Sequence, residues 1–196
     1  MFVQVITGRT SDPGVFRARS EVFRRDVRPG AVGYLGGTAG VADDGRFVIV
    51  ARFEDEASAR ANSELPEQAA FWEGTVPLVD GEPTFRESAD VSLLFEGGSD
   101  DAGFVQVMEG KVTDRAKAEA METPEMLEQL RAARPDLLGS LRVWFPDDSF
   151  VDVAYFTSEE DARRGEQSAD FEGPGEEFAA LFGEMTFTDL RDPVFS

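Results

Sequence analysis

The chain has no histidine and no cysteine among its 196 residues, and only two of its 19 basic residues are lysine. Without thiols there are no disulfides, thiolate nucleophiles or cysteine metal sites, and folding does not depend on an oxidising compartment. Without imidazole, Ser-His-Asp and Cys-His arrangements, the usual zinc sites and a histidine general base are excluded as well. Long apolar runs are also missing. Nothing approaches the roughly 18 residues that a membrane span needs, and Met1 leads straight into Phe2-Val3-Gln4-Val5 with no basic region or apolar signal core. These absences set the expectation of a cytoplasmic protein with no cofactor and no membrane partner.

Positive charge is scarce: 39 acidic residues face 19 basic ones, a formal net charge of −20. Such a surface repels phosphate backbones and anionic head groups, so no nucleic acid is expected as a partner. The excess is uneven, with 23 acidic and 9 basic residues in 99–196 against 16 and 10 in 1–98. A solvated acidic face accounts for it. What the chain does have is apolar and aromatic material, 41% hydrophobic with 17 Phe, which is ample for one large or two small cores.

The chain repeats itself. Phe2-Val3-Gln4-Val5 recurs as Phe104-Val105-Gln106-Val107, followed at the same spacing by Gly8 and Gly110, then Asp12 and Asp114. Phe47 to Arg60 aligns without gaps to Phe150 to Arg163, with 8 of 14 pairs identical, and Thr84-Phe85 recurs as Thr186-Phe187. Three matching blocks in one order mean duplication. The expected organisation is a first repeat over 1–96, a Gly/Asp/Ser linker over 97–103 and a second repeat over 104–196.

Within the first repeat, Phe2 to Thr7 has the composition of a strand. Asp12-Pro13 signals a helix start, with Val15, Ala18, Val22 and Phe23 at helical spacing, and Arg28-Pro29-Gly30 a stop. Ala31 to Val41 and Arg46 to Phe53 flank Ala42-Asp43-Asp44-Gly45, a hairpin turn. Asp55 caps a helix, a further helical stretch follows Pro66, and Glu82 to Val91 returns as a strand. The second repeat follows suit: Thr123-Pro124 restarts its first helix, Pro146-Asp147-Asp148 makes its hairpin turn, and Ser158 with Asp161 opens the next helix. The order is β-α-β-β-α-β twice, an α+β fold of two ferredoxin-like repeats. Each antiparallel sheet carries helices on one face and leaves the other apolar, so the two repeats are expected to pair within the chain as an intramolecular dimeric α/β barrel. Further assembly into a homo-oligomer stays open.

The strand Phe2 to Ile6, the strand-to-helix segment Phe47 to Ala57, and their partners Phe104 to Met108 and Phe150 to Ala162 resemble the antibiotic-biosynthesis-monooxygenase-like (ABM) members of the dimeric α/β-barrel superfamily. The resemblance spans nearly the whole chain, but its motifs are structural, and fold transfers better than function. It implies cofactor-free oxygenases of polycyclic aromatic substrates, heme-degrading enzymes, or small proteins with no assigned activity. The heme-degrading branch needs a ligand His and a Trp on the helix after the third strand. This chain has no His, and the Trp position holds Asn62 in one repeat and Gly165 in the other.

A carboxylate-only site remains open. Asp152 stands mid-strand where its counterpart is Ile49. Buried between sheet and helices it is a candidate base, since desolvation disfavours the charged form; at a half-exposed position it is unremarkable surface. Tyr155, with Tyr34 and Trp144, lies on a strand, where a phenol could bond a substrate oxygen or simply pack. Gln4 and Gln106 occupy equivalent points in otherwise apolar strands, where an amide orients a ligand or satisfies loose backbone groups. Asn62, the only Asn in the chain, and Trp72 belong to the helical layer, Trp72 as core aromatic or substrate platform. Asp152 and Tyr155 are thus the catalytic candidates, and Gln4, Tyr34, Asn62, Trp72, Gln106 and Trp144 the ligand-binding ones. Gly30, Gly33, Gly36, Gly37 and Gly40 match neither phosphate-binding pattern and read as kinks in a strand. The expected function is binding of a small aromatic or polyketide-like molecule, with cofactor-independent monooxygenation as the enzymatic form and a non-catalytic binding or stress-response module as the alternative. Divergence at Asn62/Gly165, Ile49/Asp152 and Arg52/Tyr155 leads to the expectation that at most one repeat keeps a working pocket.

Overall fold

A computed structural model describes residues 1–167 and 180–196. The first repeat runs β1 (Phe2–Arg9), α1 (Pro13–Val22), β2 (Tyr34–Val41), β3 (Arg46–Phe53), α2 (Glu56–Ser63), α3 (Pro66–Thr75), β4 (Thr84–Ser88) and β5 (Val91–Leu94). The second runs β6 (Phe104–Lys111), α4 (Arg115–Met121), α5 (Pro124–Ala133), β7 (Leu137–Trp144), β8 (Ser149–Phe156), α6 (Glu159–Glu166), β9 (Thr186–Arg191) and β10 (Val194–Phe195). The two antiparallel five-stranded sheets have the orders β10-β2-β3-β1-β4 and β5-β7-β8-β6-β9. The α+β class and the doubled ferredoxin-like order stand as the sequence implied.

The stretch expected as one strand from Glu82 to Val91 is two strands, β4 and β5, that belong to different sheets. Likewise β10, at the end of the second repeat, lies in the sheet of the first, pairing Val194 with Ala39 and Phe195 with Thr38. The compact units therefore differ from the repeats: one comprises Met1–Val91 with Asp189–Ser196, the other Ser92–Thr188. Residues around Gly97 are tied into the second unit by turns, with the Gly97 amide donating to the Leu94 carbonyl at 3.0 Å.

Local chemistry explains the element ends. The Asp12, Asp55, Asp114, Thr123 and Ser158 side chains each accept from the backbone N–H three residues on, capping α1, α2, α4, α5 and α6. Gly45 turns the β2–β3 hairpin at φ +83°, which a side chain would oppose. Between Tyr34 and Gly36 the β2–β3 register slips by a bulge, with Gly36 at φ +137°, so the glycine-rich strand is kinked as expected.

The inward face of α1 and the turn that continues it is Phe16, Ser20 and Phe23, while Val15 and Ala18 are exposed, not inward as their spacing suggested. The large Phe16 ring stacks on Phe47 at 4.3 Å and buries far more apolar area than Val15 and Ala18 would, which shifts the helix phase by one residue. The helix then widens into a π-turn over Phe23–Val27. On the helix side of the first sheet two apolar clusters form, one of Ile6, Phe16, Val41 and Phe47, the other of Phe2, Phe53 and Ala59. The opposite face presents Val3, Val5, Val48 and Val50, all buried, so the helix-free face is apolar as the repeat requires.

Candidate functional site

The two clusters of the first unit do not meet. Between them the strands offer Gln4, Ala39, Ile49 and Ala51, too short to fill the layer, and a cavity of about 300 Å³ remains. Helix α2 turns Ala59 and Asn62 inward at i and i+3. Helix α3 does the same with Gln68, Phe71, Trp72 and Thr75, its position held by Arg19, whose guanidinium donates to the Phe71 carbonyl at 2.6 Å and the Thr75 hydroxyl at 3.3 Å.

Six aromatic side chains wall the cavity: Phe23, Tyr34, Phe53, Phe71, Trp72 and Phe85. They pack edge to face, with centroids 5.7 Å apart for Phe23–Tyr34, 5.4 Å for Tyr34–Phe53 and 5.5 Å for Trp72–Phe85. Exposed Phe85 and Glu87 on the edge strand β4 mark the open side. The C-terminal residues add the remaining wall: Val194 and Ser196 line the cavity, the Gly37 amide donates to the Ser196 carbonyl at 2.7 Å, and the Ser196 and Tyr34 hydroxyls lie 2.7 Å apart. The polar groups are few. Gln4 Nε2 donates to Glu87 Oε1 at 2.6 Å. Asn62, only 3% exposed, and Gln68 line the same space, and neither amide oxygen has a hydrogen-bond partner among the described residues.

Four of the eight residues singled out from the sequence, Gln4, Tyr34, Asn62 and Trp72, are thus brought together around one cavity. The other four are in the second repeat and are not brought together. Asp152 and Tyr155 are three apart on β8, and strand alternation sends them to opposite faces, Asp152 with Ala154 and Phe156 toward the helices, Tyr155 with Val151 and Val153 away from them. Trp144 is buried against Val112 and Phe150, with the Arg115 guanidinium 4.5 Å from its ring. Gln106 is buried in β6.

Asp152 is buried, and its oxygens are fully engaged: Ser140 donates to Oδ1, and Arg142 donates twice to Oδ2 at 2.7 and 3.0 Å. Arg142 also binds Glu122. Burial works against the charge on Arg142, but Asp152 and then Glu122 outweigh it and raise its pKa above the ordinary arginine value. The hairpin registers give the meaning of this network. Arg142 pairs with Asp152 as Ala39 pairs with Ile49, and Ser140 stands where the first repeat has Gly37. Three cavity-lining positions of the first unit have become, in the second, three polar side chains joined through Asp152. Gly165, the counterpart of Asn62, is required there because a Cβ would overlap Arg134, which is paired with Asp136 at 2.7 Å.

The chain matches no family model and no curated sequence. Solved structures do match it. A candidate monooxygenase of Lactobacillus acidophilus NCFM is 13% identical and superposes over 96% of this chain and 92% of its own, with a TM-score of 0.72. Another from Fusobacterium nucleatum subsp. nucleatum is 10% identical over 97% and 91%, with a TM-score of 0.73. The chain has the fold of these monooxygenase-like proteins. An anthrone oxidase-like protein shares the same two-repeat fold, at 11% identity over 99% and 92% and a TM-score of 0.65. The ABM-like resemblance carried by Phe2–Ile6 and Phe47–Ala57 therefore holds at the level of fold. Among the described residues no helix is long and apolar enough to cross a membrane, and no cluster of three or more acids is placed to hold a metal ion.

Proposed function

We propose that the first unit binds a planar aromatic or polyketide-like molecule in its cavity and oxygenates it with O₂ directly, without metal, heme or flavin. The observation that carries this reading is the cavity itself: about 300 Å³, six aromatic walls and a handful of polar groups, the composition of a small-molecule site. In this chemistry the ligand is its own reductant. A base takes the proton from an acidic C–H, the carbanion passes electrons to O₂ and forms a C–O bond, and loss of water from the hydroperoxide leaves a carbonyl, so that CH₂ plus O₂ gives C=O plus H₂O. The protein need only bind, exclude water and accept a proton. Glu87 and Tyr34 are the ionisable side chains among the described residues lining the cavity, which favours proton transfer in this unit over the ion-paired Asp152. For the second unit the alternative reading, a non-catalytic module, is the better one, because the Ser140–Arg142–Asp152 network stands at its cavity positions.

The test is oxygen uptake by metal-stripped protein with a panel of anthrone-type phenols. Turnover is expected to survive chelator and to fall by about 10²-fold or more in Glu87→Gln, while Asp152→Asn that remains folded keeps its activity. Activity that vanishes on chelation, or no turnover with any member of the panel, would sink the proposal.

A further inference from the structure

We infer that Gln4 is a positioning residue: its side-chain amide holds the Glu87 carboxyl at the cavity in the charged and the neutral form alike. The catalytic meaning rests on the reading above, while the holding itself is measurable without turnover. The placement comes from the sheet. Gln4 and Glu87 are directly opposite in the β1–β4 register, so the two side chains stand side by side on one face, and Gln4 Nε2 donates to Glu87 Oε1 at 2.6 Å. Neither side chain has another hydrogen bond or ion pair among the described residues. Glu87 needs such a partner. It is exposed on β4, an edge strand of its sheet, and an open groove over Phe2 and Ala59 shares Gln4, Ser63 and Glu87 with the cavity. A carboxylate left free at that boundary turns into the groove, where water solvates its charge better than aromatic walls do.

The chemistry asks the carboxyl to stay in place through a full cycle. Glu87 takes the proton from the ligand C–H, the carbanion adds O₂ to give a peroxide anion, and Glu87 returns the proton to the terminal peroxide oxygen. Loss of water then leaves the carbonyl, so the base ends as it began. With Oε1 tied to Gln4, Oε2 carries the proton. A guanidinium partner favours the charged carboxylate alone. A neutral amide N–H donates to a carboxylate oxygen and also to the carbonyl oxygen of the protonated acid. Gln4 therefore keeps its bond in both states, where a cationic residue would oppose one of them.

The experiment is a double-mutant cycle on the full chain, with oxygen uptake on the anthrone-type phenols as the rate and Gln4→Met as the variant that keeps length and removes the donor. Alone, Gln4→Met is expected to lower kcat about tenfold, with KM within about twofold of the parent. In a Glu87→Gln background it is expected to change the residual rate by less than about twofold, because no carboxylate is left to hold. Proton magnetic resonance of the Gln4 side-chain amide, assigned through its bonds to the backbone, gives a second readout in the unmutated protein. Its hydrogen-bonded proton is expected downfield of a free amide at both ends of the Glu87 titration, and at the free position in Glu87→Ala. Equal losses from Gln4→Met in both backgrounds, a raised KM with kcat unchanged, a Gln4→Met enzyme as fast as the parent, or an amide proton at the free position in either state would overturn the inference. No oxygen uptake by the parent with any of the phenols refutes oxygenation, and the amide proton then decides the holding by itself, as it does if Gln4→Met fails to fold.

Discussion

Cutting the carboxylate from the Ser140–Arg142–Asp152 network tests whether the second unit's polar core is an internally balanced substitute for a cavity. Asp152→Ala removes the acceptor for both Ser140 and Arg142, leaving a guanidinium whose side chain is 17% exposed and whose remaining ion-pair partner among the described residues is Glu122. Breaking a buried ion pair from one side costs about 3–5 kcal/mol, and Glu122 keeps the loss near the lower figure, roughly 3 kcal/mol. For a chain of this length each kcal/mol moves the melting temperature by about 2–4 °C, so a fall of roughly 6–12 °C is expected by calorimetry. The combined variant Ser140→Gly, Arg142→Ala, Asp152→Ile installs the first repeat's residues at all three points. Removing the members of a buried charge network together is often neutral or stabilising by about 1–4 kcal/mol, offset here by the void where Arg142 was and by Glu122, which loses its partner but is 28% exposed and can turn to water. The triple variant is therefore expected within about 2 kcal/mol of the parent and clearly above the single one. A triple variant as unstable as Asp152→Ala, or an Asp152→Ala protein that loses less than about 1 kcal/mol, would refute the reasoning.

Other outcomes follow from the same structure. Aromatic probes are expected to bind one per chain, at the first unit; calorimetric stoichiometry of two would contradict the asymmetry. Ending the chain after Asp192 removes Val194 and Ser196 from the cavity wall, and probe affinity is expected to fall about tenfold or more while far-ultraviolet dichroism is nearly unchanged; unaltered affinity would mean that the wall is dispensable. Backbone donation from Ser58 holds the Asp55 carboxyl below its ordinary value of 3.8, as backbone donation from Arg46 does for Asp44, while the Ser149 and Ser158 hydroxyls, donating to Asp147 and Asp161, lower those two. Each contributes stability that is complete above the ordinary carboxylate range and is lost as pH falls through the lower folded-state value. The melting-temperature gap between parent and Asp55→Ala is therefore expected to be constant from pH 5 to 7 and to close below about pH 4; a gap that widens in acid would reverse the assignment.

The sequence by itself determined the duplication, most of the element order and the caps at Asp12, Asp55, Thr123 and Ser158, because these depend on local spacing. It also held more than single residues suggest. The hairpin turn centred near Asp147 sets Arg142 opposite Asp152, so the ion pair could be read by counting back from the turn; Asp152 considered alone looks like a stray acid. Strand alternation likewise separates Asp152 from Tyr155 before any coordinates are known. Other features were beyond local reading. That Phe16 and not Val15 faces inward depends on what Phe47 offers across the layer. That Glu82 to Val91 divides between two sheets, and that residues 189–196 complete the first unit, depends on pairings between residues far apart in the chain, which no local pattern encodes. The cavity is the clearest case. Ala39, Ile49 and Ala51 are ordinary strand residues in sequence, and only tertiary packing decides that nothing larger comes down from the helices to fill the space above them, leaving the amide oxygens of Asn62 and Gln68 without hydrogen-bond partners among the described residues.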